Sequence, residues 1–576
     1  MSASVILNDA FKKYTEDQDK ILTPRETVDN FKARLAKLDL DILEGVKRID
    51  NGRLDIPVFF STCGRDARQI IGTRKQMGKG ATPAQAEASA VMELAERFSF
   101  FSFLRNPANF TMATGAEMGA KALPFELIAR SVHDESPALD AARQVFNSIP
   151  MRWTQGFNLG TKESLWIPFD WFYAINEFNG PSAGNCVEEA LSQGICEVVE
   201  RHVSSLVSRN RIAVPLLDPS RARDAKVQEM VAKYHRAGIR LYVSDFTLDT
   251  GIPTVGVMAY DPATFPEKSE IVWTAGTTPG PEKALSRALT EVAQLAGDFN
   301  SNANYVASGL PKFQALDEAA YITDSGSHTA LPDLPDLSHD NMRVEVENLI
   351  GALTDHGYDV FTIDTRHPQL DIPAFYTIIP GTHFRERALN TSVGMFSAKL
   401  VAENQPPALA LAKLAEIDKI LPDTYYTAFY QGTCCLALDD MQTACSHFQR
   451  ALERDPGEED LPTIYSYLGV ALKDMTRYDE ALEVLARGEA LDAERTDILN
   501  LQGFCHFKLG EHAQAVERFK KILELDPGSA IDYANIAVNY GKMGEVDLAV
   551  EFYSKALAID PAIDWALENL KKLQKE

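Results

Sequence analysis

The domain around residues 78–97 is organised about the stretch GKGATPAQAEASAVMELAER. This stretch opens with a glycine-flanked lysine and continues into a strong helical pattern. Because a helix turns about 100° per residue, Ser89, Glu93 and Glu96 share one face, with apolar residues beside them. Two carboxylates on a partly buried face repel each other unless a cation or a donor lies between them. For this helix taken alone, a solvated surface stripe remains the alternative.

The pattern recurs in SAGNCVEEALSQGICEVVERHV, residues 182–203. Here a loop of small residues opens a second helix that also contains Glu-x-x-Glu-Arg. Four polar side chains recur at offsets 0, 4, 8 and 11 and therefore share one stripe. They are Glu189, Gln193, Glu197 and Glu200.

A third version is AGTTPGPEKALSRALTEVAQL, residues 275–295, in which Arg287, Glu291 and Gln294 share a stripe. Three loop-to-helix units with acidic stripes predict one site assembled from three sides. Carboxylates in that number need metal ions, and oxygen ligands favour Mg²⁺ held together with phosphates. Arginines then pair with the negative charge of the phosphates, and backbone amides at the start of a helix can bind anions. The residues alone therefore predict a magnesium–nucleotide site.

Common nucleotide motifs do not explain this site. Gly72 and Gly78 lack the Walker spacing and its Ser/Thr, and no strand-linked GxGxxG or kinase signature set is present. The three motifs instead closely resemble those of the YcaO family, in the same order. They read SAVMELAER, AGNCVEEALSQGICEVVER and SRALTEVAQ. The resemblance covers roughly residues 15–405.

The resemblance implies ATP and Mg²⁺ as cofactors and assigns roles to most of the polar residues. The expected metal ligands are Glu93, Glu96, Glu197 and Glu200. The expected ATP-binding residues are Lys20, Thr27, Ser89, Ser182, Asn185, Glu189, Gln193, Arg201, Arg287 and Glu291. Helix capping is the simpler role for Ser182, and for Lys20 and Thr27 an ordinary surface role stays open. No catalytic residue is assigned.

The resemblance also implies a reaction. YcaO enzymes activate a peptide backbone amide by phosphorylating its oxygen with ATP, which yields an azoline or, with sulfide, a thioamide. Azoline-forming members end in a proline-rich tail, whereas this chain ends LENLKKLQKE, which weakens that expectation. The layout resembles family members regarded as accessory factors for methylthiolation of a small-subunit ribosomal protein. A sulfur-delivery or methylthiotransferase partner would follow. A nucleotide-binding scaffold without peptide chemistry is the competing class.

Composition narrows the partners and the location. The net charge of −25 argues against nucleic-acid binding. No run approaches the roughly 20 apolar residues that span a bilayer, and the N-terminus lacks a signal-peptide pattern, so we expect a cytoplasmic protein without membrane contact. The 7 cysteines show no zinc spacing. Cys63 and Cys186 stay open as candidate catalytic thiols.

A period of 34 residues dominates the C-terminal third. Gly469 and Gly503 are separated by it, as are Ala481 and Ala515. Small residues at this period, with Asp-Pro at the turns, predict tetratricopeptide-like repeats that bind a protein or mediate homodimerisation. We therefore expect an α/β domain of mixed sheets and helices over residues 1–405, followed by an all-α repeat domain over 406–576.

Within the first domain, the pattern predicts a helical lead-in over residues 1–50 and strands at 56–62, 68–74, 153–159 and 165–175. A helix–strand–strand pattern beginning at residue 227 recurs at residue 346 and predicts two related α/β halves.

Overall fold

The chain forms two compact units in the computed structural model, which describes residues 4–16, 19–50, 52–73, 75–296, 299, 313, 315–384, 391–526 and 528–574. The first unit comprises Met1–Asp134, Pro150–Tyr305 and Lys312–Arg387, and the second is built mainly from Glu135–Ile149 and Ala388–Glu576.

The first unit opens with a helix and a small antiparallel sheet. Thr23 caps the first helix through a capping box with Glu26, and Pro24 occupies its first turn. The elements are α1 (Pro24–Leu35), β1 (Leu43–Arg48), β2 (Val58–Cys63), α2 (Arg65–Ile71), β3 (Lys75–Lys79) and α3 (Pro83–Arg105). The first sheet has the strand order β1-β2-β3, and α3 covers it.

The middle of the unit supplies most of a second sheet. Its elements are β4 (Thr111–Ala113), α4 (Gly115–Met118), α5 (Phe125–Ser131), α6 (Leu139–Asn147), β5 (Met151–Asn158), β6 (Ser164–Pro168), α7 (Phe169–Asn176), β7 (Pro181–Ala183) and α8 (Val187–Asn210). Of these, α6 belongs to the second compact unit.

The third sheet and the last two strands of the second sheet follow. The elements are β8 (Leu216–Leu217), α9 (Ala225–Arg236), β9 (Arg240–Asp245), β10 (Thr254–Tyr260), β11 (Val272–Thr277), α10 (Pro281–Ala296), α11 (Ala320–Thr323), β12 (His328–Thr329), α12 (Met342–Asp355), β13 (Phe361–Asp364) and β14 (Ala374–Ile378). The second sheet runs β4-β5-β13-β14-β7 with β6 on β5, and the third runs β11-β10-β9-β8-β12.

The three helices with acidic stripes are related to the three sheets in a cyclic way. Helix α3 covers the first sheet, α8 covers β7 and β14 of the second, and α10 covers β10 and β11 of the third. Each also contacts a strand of the next sheet: α3 contacts β7, α8 contacts β11, and α10 contacts β3. This arrangement brings the three stripes toward one another.

A glycine lies at each of these helix–sheet contacts. A Cβ at Gly78 would lie 2.1 Å from the Ala90 amide nitrogen of α3, and one at Gly276 would lie 2.3 Å from a backbone oxygen of α10. On α8, a Cβ at Gly194 would lie 2.5 Å from Thr377 Oγ1 and 2.7 Å from Ser182 Oγ. Each helix therefore approaches its sheet more closely than any side chain would allow.

Several predicted elements are confirmed. The duplicated pattern is real, because α9–β9–β10 and α12–β13–β14 each form a helix followed by an antiparallel strand pair. The strands predicted at 56–62 and 153–159 correspond to β2 and β5.

Other expectations for this unit are wrong. Residues 68–74 fall largely in helix α2, and residues 165–175 divide between β6 and helix α7. In the described part of residues 1–50, the α-helix is confined to Pro24–Leu35. Ile and Phe suit strands and buried helices equally, so short apolar runs did not distinguish the two.

The second unit consists of helices. Besides α6 it contains α13 (Val393–Asn404), α14 (Pro407–Ile420), α15 (Tyr425–Ala437), α16 (Met441–Leu452), α17 (Leu461–Asp474), α18 (Tyr478–Leu491), α19 (Thr496–Leu509), α20 (His512–Leu525), α21 (Ala530–Met543), α22 (Val546–Ile559) and α23 (Asp564–Leu573). Successive pairs from α15 to α22 pack as helical hairpins. Because α13 packs against α6 and α14, the second unit starts before the predicted boundary at residue 405. None of the helices that the structure describes combines the length and the hydropathy of a membrane span.

The close approach at Gly78 is testable. We expect Gly78→Ala to lower the free energy of unfolding by about 1–3 kcal/mol, because the added methyl group meets the backbone of α3 rather than a flexible side chain. Gly45→Ala on β1 is the matched control, since nothing lies within 4 Å of its added Cβ. Urea unfolding followed by tryptophan fluorescence measures both variants. Equal stability of the two would contradict the packing constraint.

Candidate functional site

The site helices begin at well-defined caps. Thr82 caps α3 by accepting a hydrogen bond from the Gln85 amide, and Pro83 follows it. At the start of α8, Cys186 Sγ accepts the Glu189 amide at 3.4 Å. These caps fix where each stripe begins.

A cavity of about 130 Å³ lies against these helices and the segment before α1. The predicted site residues that line it are Lys20, Thr27, Ser89, Glu93, Glu96, Asn185, Glu189, Gln193 and Arg287. The lining residues that the sequence pattern did not indicate are Tyr14, Leu22, Pro24, Gln85, Ala88, Met92 and Ala183. The structure thus brings together residues from the three motifs and from the N-terminal segment.

One wall of the cavity is a hydrogen-bonded network. Asn185 Nδ2 donates to Thr27 Oγ1 at 3.1 Å and to Glu189 Oε1 at 3.0 Å. Lys20 Nζ lies 3.5 Å from the same Glu189 oxygen. The other oxygen, Oε2, is buried and has no hydrogen-bond partner among the described residues. A buried carboxylate oxygen in this state favours a ligand that brings a donor or a cation.

Ion pairs cross-link the acidic stripes. On α3, Arg97 Nε lies 2.9 Å from Glu93 and 3.6 Å from Glu96. Between helices, Arg287 Nε of α10 donates to Glu200 Oε2 of α8 at 2.9 Å. The same oxygen also accepts the Thr277 amide at 3.1 Å.

The local charges divide the carboxylates into two kinds. Burial raises the pKa of Glu96 well above its usual value, and the Glu93 charge adds to this effect. Burial also raises the pKa of Glu197, although Arg201 and Arg97 oppose the rise. Burial acts on Glu200 in the same direction, but the Arg287 and Arg201 charges outweigh it and lower its pKa. Glu96 and Glu197 therefore lack enough nearby positive charge to offset their burial. The negative charge of Glu200 is already balanced by arginines.

The donor set fits a hard cation. No group of three or more His, Cys, Asp or Glu side chains in the described residues is already spaced to hold a metal ion. However, Glu93 and Glu96 face the cavity and repel each other, and Glu197 contributes to the raised pKa of Glu96. Carboxylate oxygens under such repulsion are ligands that suit Mg²⁺ and its waters. These residues can therefore hold the ion that the sequence predicts.

Five predicted residues do not line the cavity. Ser182 is fully buried in β7 opposite Phe375 of β14, so it is part of the sheet. Arg201 is exposed, and Glu197 and Glu200 lie farther along α8. Glu291 forms an ion pair with Lys79 at the end of β3. The roles predicted for these residues remain predictions.

The cysteines show no sign of activation. Cys63 is buried, and burial raises its pKa. Burial raises the pKa of Cys186 to about 12. Since the thiolate is the reactive form, neither environment favours nucleophilic chemistry near neutral pH.

Removal of a stripe charge tests the cation and nucleotide site. We expect Glu93→Gln and Glu197→Gln each to weaken Mg·ATP binding by about tenfold or more, because each removes negative charge that a cation requires while keeping the side-chain shape. Calorimetric titration with Mg·ATP measures the affinity. Glu87→Gln is the control on the same helix, since Glu87 pairs with Lys32 and does not line the cavity. Unchanged affinity in both test variants would rule out the assignment.

Comparisons with known proteins agree with this geometry. Residues 77–383 match the family model described as YcaO cyclodehydratase, ATP- and Mg²⁺-binding. Residues 468–530 and 533–563 match tetratricopeptide repeat models.

Two relatives illustrate the range of similarity. An uncharacterised protein of Methanothermobacter thermautotrophicus is 28% identical over 379 residues, which cover 62% of this chain and 93% of that protein. The ribosomal protein S12 methylthiotransferase accessory factor YcaO of Escherichia coli is 29% identical over 136 residues, or 23% of this chain and 22% of that protein.

Solved structures share the fold of the first unit. A heterocyclase in complex with substrate and cofactor has a TM-score of 0.54 and 21% identity, covering 66% of this chain and 55% of that chain. YcaO from Methanopyrus kandleri, bound with AMPPCP and Mg²⁺, has a TM-score of 0.50 and 24% identity, covering 65% of this chain and 95% of that chain. Since the family model spans more than half of the sequence, this chain belongs to the YcaO family of ATP- and Mg²⁺-binding proteins.

Proposed function

We propose that this protein is an ATP- and Mg²⁺-dependent enzyme that activates a peptide backbone amide in the cytoplasm. The observation that carries the proposal is the cavity itself, where acidic residues of α3 and α8 meet Arg287 of α10. Phosphoryl transfer needs both signs of charge, because metal ions neutralise the phosphates and arginines hold them.

The residues divide into two groups by role. Glu93, Glu96, Glu197 and Glu200 would hold Mg²⁺, which when bound neutralises charge that develops during phosphoryl transfer. Arg287 lines the cavity, and its planar guanidinium suits bidentate contact with a phosphate. Its pairing with Glu200 fixes the direction of the side chain before a nucleotide arrives.

The second group would orient the nucleotide. Glu189 is held from two sides by Asn185 and Lys20, and its free Oε2 can accept a hydroxyl donor. Thr27 extends the network to α1. Ser89 and Gln193 complete the polar lining.

For the acceptor, we propose a small-subunit ribosomal protein whose methylthiolation this chain supports as an accessory factor. This acceptor is supported by the similarity to the Escherichia coli accessory factor. That similarity covers less than a quarter of either chain. A methylthiotransferase or a sulfur-delivery protein would then be its partner. The tetratricopeptide repeats would supply the protein contact or form a homodimer.

A specific observation favours a second candidate, formation of an azoline or thioamide in a peptide. The fold of the first unit is shared with a heterocyclase in complex with substrate.

In the third candidate, a nucleotide-binding scaffold, the acidic stripes bind Mg·ATP and no peptide chemistry follows.

Turnover with defined acceptors separates these candidates. We expect phosphate release from Mg·ATP to rise several-fold with ribosomal protein S12, to fall to background in Glu93→Gln, and to persist in Glu87→Gln. The physical reason is that the acceptor amide completes a site whose metal charge depends on the α3 stripe. Phosphate release and mass spectrometry of the acceptor are the measurements.

Each other outcome favours a different candidate. Stimulation by a cysteine-containing peptide that loses water, or by a peptide that exchanges oxygen for sulfur, would favour the azoline or thioamide alternative. If Mg·ATP binds but no acceptor raises turnover above that of Glu93→Gln, the enzyme proposal fails and the scaffold is correct.

A further inference from the structure

Lys79, the glycine-flanked lysine of residues 78–97, lies beside the site but outside the motif SAVMELAER and the cavity lining. It ends β3 between two glycines that leave no room for side chains: a Cβ at Gly80 would lie 2.7 Å from the Ala86 amide nitrogen. Ala81, which follows Gly80, packs against the core that contains Ala284 and Leu285 of α10. The position of the Lys79 backbone is therefore tightly constrained.

The side chain of Lys79 reaches α10 and forms an ion pair with Glu291. Both side chains are 17% exposed, so the pair is largely shielded from water. Glu291 lies one turn after Arg287, which pairs with Glu200 of α8. Helix α10 is thus tied by one ion pair to β3 and by the next to α8.

The electrostatics place Lys79 within the same charge network. Burial lowers the pKa of Lys79, the Arg287 and Arg201 charges act in the same direction, and Glu200 and Glu93 oppose them, with a net pKa of about 7. Buried ion pairs of this kind contribute little net stability compared with apolar packing, so a structural role alone is a weak explanation. The pair does fix the orientation of its two partners.

We propose that Lys79 is a positioning residue that holds the Glu291 carboxylate, and with it the cavity-facing turn of α10, in the orientation that Mg·ATP requires. This role rests on one part of the proposed function, the binding of Mg·ATP at the site. It accounts for the glycine-flanked lysine and connects the predicted role of Glu291 to a cavity that Glu291 does not line.

A double-mutant cycle tests the proposal. We expect Lys79→Met and Glu291→Gln each to weaken Mg·ATP binding by tenfold or more, and the double variant to bind no more weakly than either alone. Lys75→Met is the matched control on the same strand, because Lys75 is exposed and lies 4.6 Å from the Phe60 ring centroid. Should Lys79→Met fold poorly, Lys79→Gln replaces it in the same calorimetric assay.

A charge swap separates positioning from a purely structural role. In Lys79→Glu/Glu291→Lys the ion pair forms again with its charges exchanged. We expect thermal stability without nucleotide to return toward that of the original protein, whereas Mg·ATP binding stays weak because the carboxylate now lies on β3. A swap variant that regains both properties would overturn the positioning role.

The other outcomes are also decisive. Wild-type affinity in Lys79→Met, or purely additive losses in the double variant, would overturn this inference and leave the proposed function intact. Absence of Mg·ATP binding by the unsubstituted protein would instead overturn the proposed function and this inference together.

Discussion

The positions of the site helices in the first unit follow from the close approach of three helices to three sheets. Gly78, Gly194 and Gly276 each remove a side chain where helix and sheet would otherwise be held apart. Each of α3, α8 and α10 also contacts a strand of the sheet that the next helix covers. This packing therefore determines where the polar faces of the three helices meet. The site is therefore a product of backbone packing, and the charged residues occupy the space that packing leaves.

Burial of so many charges together has an energetic consequence. Removing one partner of a buried ion pair such as Glu200–Arg287 costs about 3–5 kcal/mol, although the intact pair adds little stability. The Arg287 and Arg201 charges outweigh the effect of burial at Glu200, so its pKa is lowered. At Glu96 the nearby positive charge does not outweigh burial, so its pKa is raised. This imbalance leaves part of the site suited to a metal ion. It is also consistent with membership of an ATP- and Mg²⁺-binding family.

Much of the site could be predicted from sequence because its signal is local. Glu93 and Glu96 share a helix face by spacing alone, and the structure places both at the cavity. The Lys79–Glu291 pair was missed because its partners are far apart in sequence and meet only through packing. The sequence also does not indicate the three-residue strand before α8 that buries Ser182, whose predicted role remains a prediction. The apolar runs in α2 and α7 are too short to show a helical period, so the sequence predicts strands where the structure has helices.

We propose that the acidic stripes of α3 and α8 form a metal site shared with a nucleotide. Its most direct test is the anomalous scattering of Mn²⁺ in crystals grown with Mn²⁺ and a non-hydrolysable ATP analogue. We expect Mn²⁺ peaks among the carboxylates of Glu93, Glu96, Glu197 and Glu200, in contact with the analogue's phosphates, with Arg287 on the same phosphates. Mn²⁺ bound elsewhere, or an analogue whose phosphates contact neither helix, would contradict it.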